Sequence, residues 1–244
     1  PENEVQQPSS SEMRADSTEA QASAKAQIAE VAQTTSDQSV TNPVEPSPSP
    51  EVEQWFTDDF STETNNWKIV SELSNGSFFR ENEALVFEIA KPNKYVSAEV
   101  PWNFTGLFMN TTISVDVKVE TPGLGGFGFF CRENDPNNFY SVTIIPDAAG
   151  GGVYRFYKKA AGNSLYLTDW IQTDALYGGE ITEKITFSCK GSNLILEING
   201  QKEAEISDSD LGFGKAILFA VSMDEVDEKN PYRIAFDDFK ATVP

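Results

Sequence analysis

Carboxylates carry most of the chemistry open to this chain. Histidine is absent from all 244 residues. That removes histidine-based nucleophile triads, imidazole metal ligands and histidine pH switches together. Two short elements share one acidic pattern, Asp58-Asp59-Phe60 and Asp237-Asp238-Phe239. If the strands carrying them are neighbours, Asp58, Asp59, Asp237 and Asp238 offer the clustered oxygens that Ca²⁺ takes, about six to eight ligands at ~2.3–2.6 Å. The alternative is that these aspartates face solvent beside inward-pointing Phe60 and Phe239. The spacing is not that of a calcium-binding loop. A third acidic run, "MDEVDEKNP" at residues 223–231, sets Glu225 and Asp227 two apart. The Lys, Asn and Pro that follow read as a solvated loop.

A second constellation is aromatic and basic. Sugar recognition needs a flat apolar face against the pyranose ring and charged or amide groups beside it for the hydroxyls. Arg132, Asn138, Tyr140, Arg155, Tyr157 and Trp170 supply those types within one stretch. Tyr140 shares the phase of Val142 and Ile144, so it reads equally as core. Arg155 and Tyr157 share a phase opposite to Tyr154 and Phe156, which makes them the better exposed pair. Trp170 stands at a strand end and either lines a pocket or caps the core. The two cysteines, Cys131 and Cys189, share the inward phase of Phe127, Phe129, Ile185 and Phe187. Two reduced core thiols are one reading; an even count in an exported chain favours a Cys131–Cys189 disulfide.

The elements that position these residues are strands. "TISVDVKVE" puts Ile113, Val115, Val117 and Val119 on one face and Ser114, Asp116 and Lys118 on the other, the alternation of a half-buried strand. "FGFFCR", "NFYSVTII", "KITFSCK" and "NLILEING" alternate in the same way, and "ALVFEI", "GVYRFYK", "KAILFAV" and "YRIAFDDFKA" add further strands. Turn signals such as "DPNN", "DAAGGG" and "KGSN" separate them. Asn199-Gly200 between two apolar runs predicts a tight hairpin. No long amphipathic helix interrupts the series. The fold class is therefore all-β, and about a dozen strands suit a two-sheet antiparallel jelly-roll sandwich better than an immunoglobulin-type domain.

Composition divides the chain. Residues 1–54 contain no Phe, Trp or Tyr, while residues 55–244 hold all 28. A segment without aromatics buries too little apolar surface to offset its ordering entropy. The expectation is a disordered acidic Ser/Gln/Pro-rich tail over 1–54 and one β-sandwich domain over 55–244. Four prolines within residues 41–54 favour an extended spacer, a stalk or an ordinary interdomain linker. The net charge is −20, with ten acids and two bases in residues 1–54, so −8 falls there and −12 on the domain. Such a field repels phosphate backbones and anionic membranes, which argues against nucleic acid as a partner. No apolar run is long enough to span a bilayer. The chain begins at Pro1, as a processed product does, and an N-terminal export or lipid-anchor segment is expected to have been removed.

Over most of residues 55–244 the sequence resembles bacterial secreted or lipoprotein-borne domains of the concanavalin A-like lectin/glucanase (laminin-G-like) fold. The pieces that carry the resemblance are "WFTDDFSTETNNW", "FGFFCRENDPNNFYSVTI", "TDWIQTDAL", "ITFSCKGSNLILEINGQ" and "IAFDDFKA", in that order. The resemblance implies a jelly roll whose first and last strands lie side by side, an extracellular or cell-surface location, and sequons at Asn75, Asn103 and Asn110 that carry no glycan. It does not imply a substrate, because the fold hosts lectins, glycosidases and structural modules. The acidic motif of laminarinase-type glycosidases wants Glu, Asp two on and Glu three further; here Asn230 takes the third place. The expected function is a non-catalytic carbohydrate-binding module at the cell envelope, with Arg132, Asn138, Arg155, Tyr157 and Trp170 against the glycan. The alternative is a structural or interaction domain that binds another envelope protein.

Overall fold

The computed structural model describes residues 54–62, 65, 67–69, 75–101, 109–178 and 181–243. Of the expected tail over 1–54, residues 1–53 lie outside them, as does the sequon at Asn103; Gln54 instead opens the first strand, opposite Val243. The described residues form sixteen strands and no helix. One sheet holds β1 (Gln54–Asp58), β3 (Ser77–Glu81), β4 (Ala84–Ile89), β6 (Thr111–Val119), β12 (Thr182–Lys190), β13 (Asn193–Ile198), β14 (Gln201–Ser207) and β16 (Tyr232–Val243). The other holds β2 (Lys68–Ile69), β5 (Tyr95–Glu99), β7 (Gly125–Asp135), β8 (Asn138–Pro146), β9 (Gly152–Ala160), β10 (Asn163–Tyr166), β11 (Ile171–Thr173) and β15 (Lys215–Ser222). We call them the first and second sheets.

The first sheet runs β14-β13-β12-β6-β16-β4-β3, with β1 also on β16; the second runs β10-β9-β8-β7-β15-β5-β2, with β11 also on β9. All pairings are antiparallel. The alternation read in β6 is realised in full: every second residue from Thr111 to Val119 is buried, and the intervening ones face outward. The inward rows of the two sheets meet in one core, where Phe129 of β7 stacks on Phe187 of β12 with ring centroids 6.2 Å apart. Each such fully buried ring contributes roughly 2–3 kcal/mol by removal from water. The Cys131–Cys189 disulfide lies in that core and joins the second sheet to the first, with its Cα atoms 6.6 Å apart.

Three local features follow from the sequence. Asn199 and Gly200 adopt φ of 52° and 79°, the left-handed pair that a two-residue hairpin between β13 and β14 requires. The last strand, β16, does pair with the first: Asp58 lies opposite Phe239. β16 bends at a bulge between Asp237 and Lys240, where Asp238 has φ of 45°. On one side it pairs β6; on the other it pairs β4 with its first half and β1 with its second.

The two outer faces differ. The first sheet presents small hydroxyls and charges: Thr112 bonds Ser188 at 3.0 Å, Thr186 donates to Ser114 at 3.2 Å, and Lys184 pairs with Asp116 at 3.0 Å. Farther along, Arg233 pairs with Glu81, Glu88 and Glu120 at 2.5–2.8 Å. The second sheet presents rings.

Candidate functional site

The two acidic elements meet as adjoining strands, but their four aspartates have different environments. Asp58 is buried at 4 % exposure. Its Oδ1 accepts the Phe60 N–H at 2.9 Å, and its Oδ2 accepts Trp67 Nε1–H at 2.9 Å and Arg80 Nη2–H at 3.0 Å. These donors lock the segment after β1 over a cluster of Phe56, Phe60, Trp67 and Phe239 rings. Asp59 is exposed and accepts both the N–H and the hydroxyl of Ser61, which hold its carboxyl below the usual range. Asp237 accepts the Asp238 N–H. Its carboxyl is held above the usual range by burial and by the charges of Asp238, Asp116 and Asp59. Among the described residues no group of three or more carboxylates is arranged to hold a metal ion. A polar groove of about 500 Å³ opens here, between Thr57, Asp59, Ser114, Lys184, Asp238 and Lys240. Its one ring, Phe239, is 1 % exposed and presents no face to a sugar.

Of the aromatic and basic set, the structure withdraws three. Arg132 is 3 % exposed, and its guanidinium donates to the carbonyls of Met109 at 3.1 Å, Leu211 at 2.8 Å and Gly191. It ties three loops together from within and has no edge for a ligand. Asn138 donates to Asp135 at 2.9 Å and accepts from the Ala161 N–H at 2.9 Å, so its amide braces two turns. Tyr140 is core; its hydroxyl donates to Asp208 at 2.5 Å and its pKa is pushed up to about 12, by burial first and that hydrogen bond second. Glu225 and Asp227 lie in an exposed turn, with Asp227 accepting the N–H groups of Lys229 and Asn230.

Arg155, Tyr157 and Trp170 do come together, on the outer face of the second sheet. The Arg155 guanidinium carbon lies 3.6 Å from the Tyr166 ring centroid and 4.2 Å from that of Trp170. Trp170 and Tyr166 are 39 % and 54 % exposed. Tyr157 follows two residues after Arg155 on β9, 5.8 Å from Phe139 and 5.7 Å from Tyr166, and its hydroxyl donates to Ser164 at 2.6 Å.

These rings belong to a longer row. Registers align Phe130, Ser141, Tyr157 and Tyr166 across β7, β8, β9 and β10. Phe139 bridges diagonally, 4.5 Å from Phe130. Phe219 of β15 extends the row, 4.7 Å from Phe130. Its ring lies over Gly128, where a Cβ would meet Phe219 Cζ at 2.6 Å. Gly128 is the residue that lets a ring lie flat there. The row is therefore Phe219–Phe130–Phe139–Tyr157–Tyr166, most exposed at the Tyr166 and Trp170 end. At the opposite end stand two carboxylates: Glu99 pairs with Lys215 at 2.9 Å, and Glu133 lies across β15 from it. The Glu133 carboxyl is held high by burial, against the pull of Lys215. Sequence reading passed over Phe130, Phe139, Phe219 and Tyr166. The signal was present: Phe130 and Phe139 take the outward phase next to inward Phe129 and Tyr140.

No protein-family model and no curated protein matches the chain. Solved structures do. A carbohydrate-binding module, CBM66 from Bacillus subtilis, aligns at a TM-score of 0.53 with 14 % identity, over 74 % of this chain and 98 % of that one. The carbohydrate recognition domain of Emp47p aligns at 0.55 with 12 % identity, over 78 % and 94 %. A β-glucanase from Bacillus licheniformis aligns at 0.54 with 12 % identity, over 78 % and 98 %. The fold is thus the concanavalin A-like jelly roll, and that fold carries both binding modules and enzymes.

Proposed function

We propose that the second sheet's outer face binds a glycan without cleaving it, and that the domain works outside the cytoplasm at the cell envelope. The observation that carries this reading is the row of half-buried rings from Phe130 to Tyr166, backed by the buried Phe219 and ending in the exposed Tyr166–Arg155–Trp170 stack. A pyranose lays its axial C–H face on such rings while its hydroxyls reach charged edges. Among the described residues, the outer face of the first sheet carries the Phe79 ring, packed on Val86 and Ala235 beneath the Arg233 guanidinium, and no row of rings. Fold neighbours that are carbohydrate-binding and carbohydrate-recognition domains support the same class of ligand. The buried disulfide fits an oxidising compartment.

A sheet face buries little ligand, and each stacked ring adds about 0.5–1.5 kcal/mol beyond area. Affinity then falls in the millimolar to micromolar range, about −4 to −8 kcal/mol. A glycan array followed by titration calorimetry tests this. Tyr157→Ala and Trp170→Ala are expected to weaken binding about tenfold, with unchanged circular dichroism. An empty array moves the assignment to an interaction domain for another envelope protein. One observation favours a second reading, hydrolysis: Glu99 and Glu133 stand together at the Phe219 end of the row, and glycoside cleavage takes two carboxylates. Release of reducing sugar that is lost in Glu133→Gln would replace the binding reading by that one.

A further inference from the structure

The described arginines divide into two kinds. Arg80, Arg132 and Arg233 direct their donors to carboxylates or carbonyls of the protein. Arg155 makes no hydrogen bond and no ion pair among the described residues. Its partners are the Tyr166 and Trp170 rings, 3.6 and 4.2 Å from the guanidinium carbon. Stacking against two rings orients the guanidinium plane and covers its faces, but leaves its in-plane N–H groups without acceptors. The result is a positioned, always-charged fork at the exposed end of the ring row. Asp169, next to the tryptophan in sequence, is exposed and does not pair with Arg155.

This occurs on a domain whose own charge is −12, the total of −20 less the −8 of residues 1–54. Carboxylates are abundant, yet among the described residues none pairs with this guanidinium. A planar fork matches a carboxylate bidentately, and hydrogen bonds to a charged partner are roughly twice as strong as neutral ones. A neutral sugar needs acceptors as well as donors, and the fork offers donors only.

We propose that Arg155 reads a carboxylate on the glycan, so that the ligand is a uronic-acid-bearing polysaccharide and not a neutral one. In the bound state the sugar ring lies along Tyr157 and Tyr166, and its carboxylate takes two N–H groups of Arg155. The inference rests on the glycan-binding reading of this face.

The test is an array of uronate polysaccharides (pectate, alginate, hyaluronan, glucuronoxylan) printed beside neutral glucans, galactans and mannans. Titration of the best uronate binder and of its methyl ester follows; the ester has the same rings without the charge. The expected result is that binders carry uronate, that esterification weakens binding about 10- to 100-fold, and that raised salt weakens the acid form alone. Arg155→Gln is expected to lose the preference for acid over ester, and Arg155→Lys to keep part of it. Circular dichroism and melting of both variants confirm that the rings remain packed. Binding of neutral glycans with equal strength, or an acid preference untouched in Arg155→Gln, overturns the assignment while leaving the face a glycan site. No binding at all overturns the glycan reading, and this inference with it.

Discussion

Removing the Asp58 carboxylate is expected to cost more stability than removing any other aspartate on the edge of the polar groove. The substitution Asp58→Ala leaves three donors without their acceptor: Phe60 N–H, Trp67 Nε1–H and Arg80 Nη2–H, now at 2.9–3.0 Å. The Asp58 side chain is 2 % exposed and that of Arg80 18 %. Breaking a buried ion pair by deleting one partner costs about 3–5 kcal/mol. Water reaches part of Arg80, so the pair contributes at the low end or below, about 2–3 kcal/mol, and the two neutral donors add roughly 1 kcal/mol each. The sum is about 4–5 kcal/mol. In a domain of this length 1 kcal/mol moves Tm by roughly 2–4 °C, so Tm falls by about 10–15 °C. Asp58→Asn keeps an acceptor oxygen but loses the charge, and is expected to cost about half as much. Asp59→Ala breaks only the exposed turn to Ser61, within about 1 kcal/mol. Calorimetric melting and urea titration of the three variants measure this. A loss below 1 kcal/mol in Asp58→Ala, or a wild-type Tm that chelator lowers as far as that substitution does, refutes the account of Asp58 as an internal acceptor.

Two further predictions concern the rest of the domain. The Cys131–Cys189 bridge spans a sequence separation of 58, and the loop-entropy relation gives about 4 kcal/mol for that length; the unreduced, denatured protein should show no free thiol, and Cys131→Ala/Cys189→Ala should lower the urea midpoint accordingly. Asp237 has a folded-state carboxyl pKa above its unfolded value, so the folded state holds its proton more tightly and stability falls as pH rises from the ordinary carboxylate range through the raised value. Asp237→Asn should therefore raise Tm by about 1–3 °C at neutral pH and not at pH 3.

The fold was legible because alternation is a local property. Ile113 to Val119, Phe127 to Cys131 and Ile185 to Cys189 each declare an inward face, and facing two such strands across a core brings the cysteines together. β14 was legible only through the Asn199-Gly200 turn before it, because "QKEAEIS" is a polar edge strand with no alternation of its own. Of the residues on the proposed face, the sequence showed about half. Arg155 and Tyr157 stood out by phase, and Trp170 by type. Arg132 misled because side-chain chemistry does not reveal which loops converge: Met109, Gly191 and Leu211 are far apart in sequence, and their carbonyls meet at one guanidinium. The ring row was hidden because it runs across strands. Phe219 reaches Phe130 through a register that pairs it with Gly128, and no window of sequence contains both.

The position of β16 bears on how the domain comes into being. This strand lies between β6 on one side and β1 with β4 on the other, so the first sheet has its middle supplied by the last twelve described residues, Tyr232–Val243. A ribosome-bound chain that has not yet made Tyr232 holds β4 and β6 with facing unpaired edges and nothing between them. Phe236 and Phe239, the rings that fill the core there, are also still missing. Pairings as distant as Phe56 with Ala241 close only after synthesis has passed both partners. Until then the open slot is a template for any strand of suitable register, including β16 from a second copy. Late closure makes strand exchange between copies the misassembly to look for when β16 is shortened.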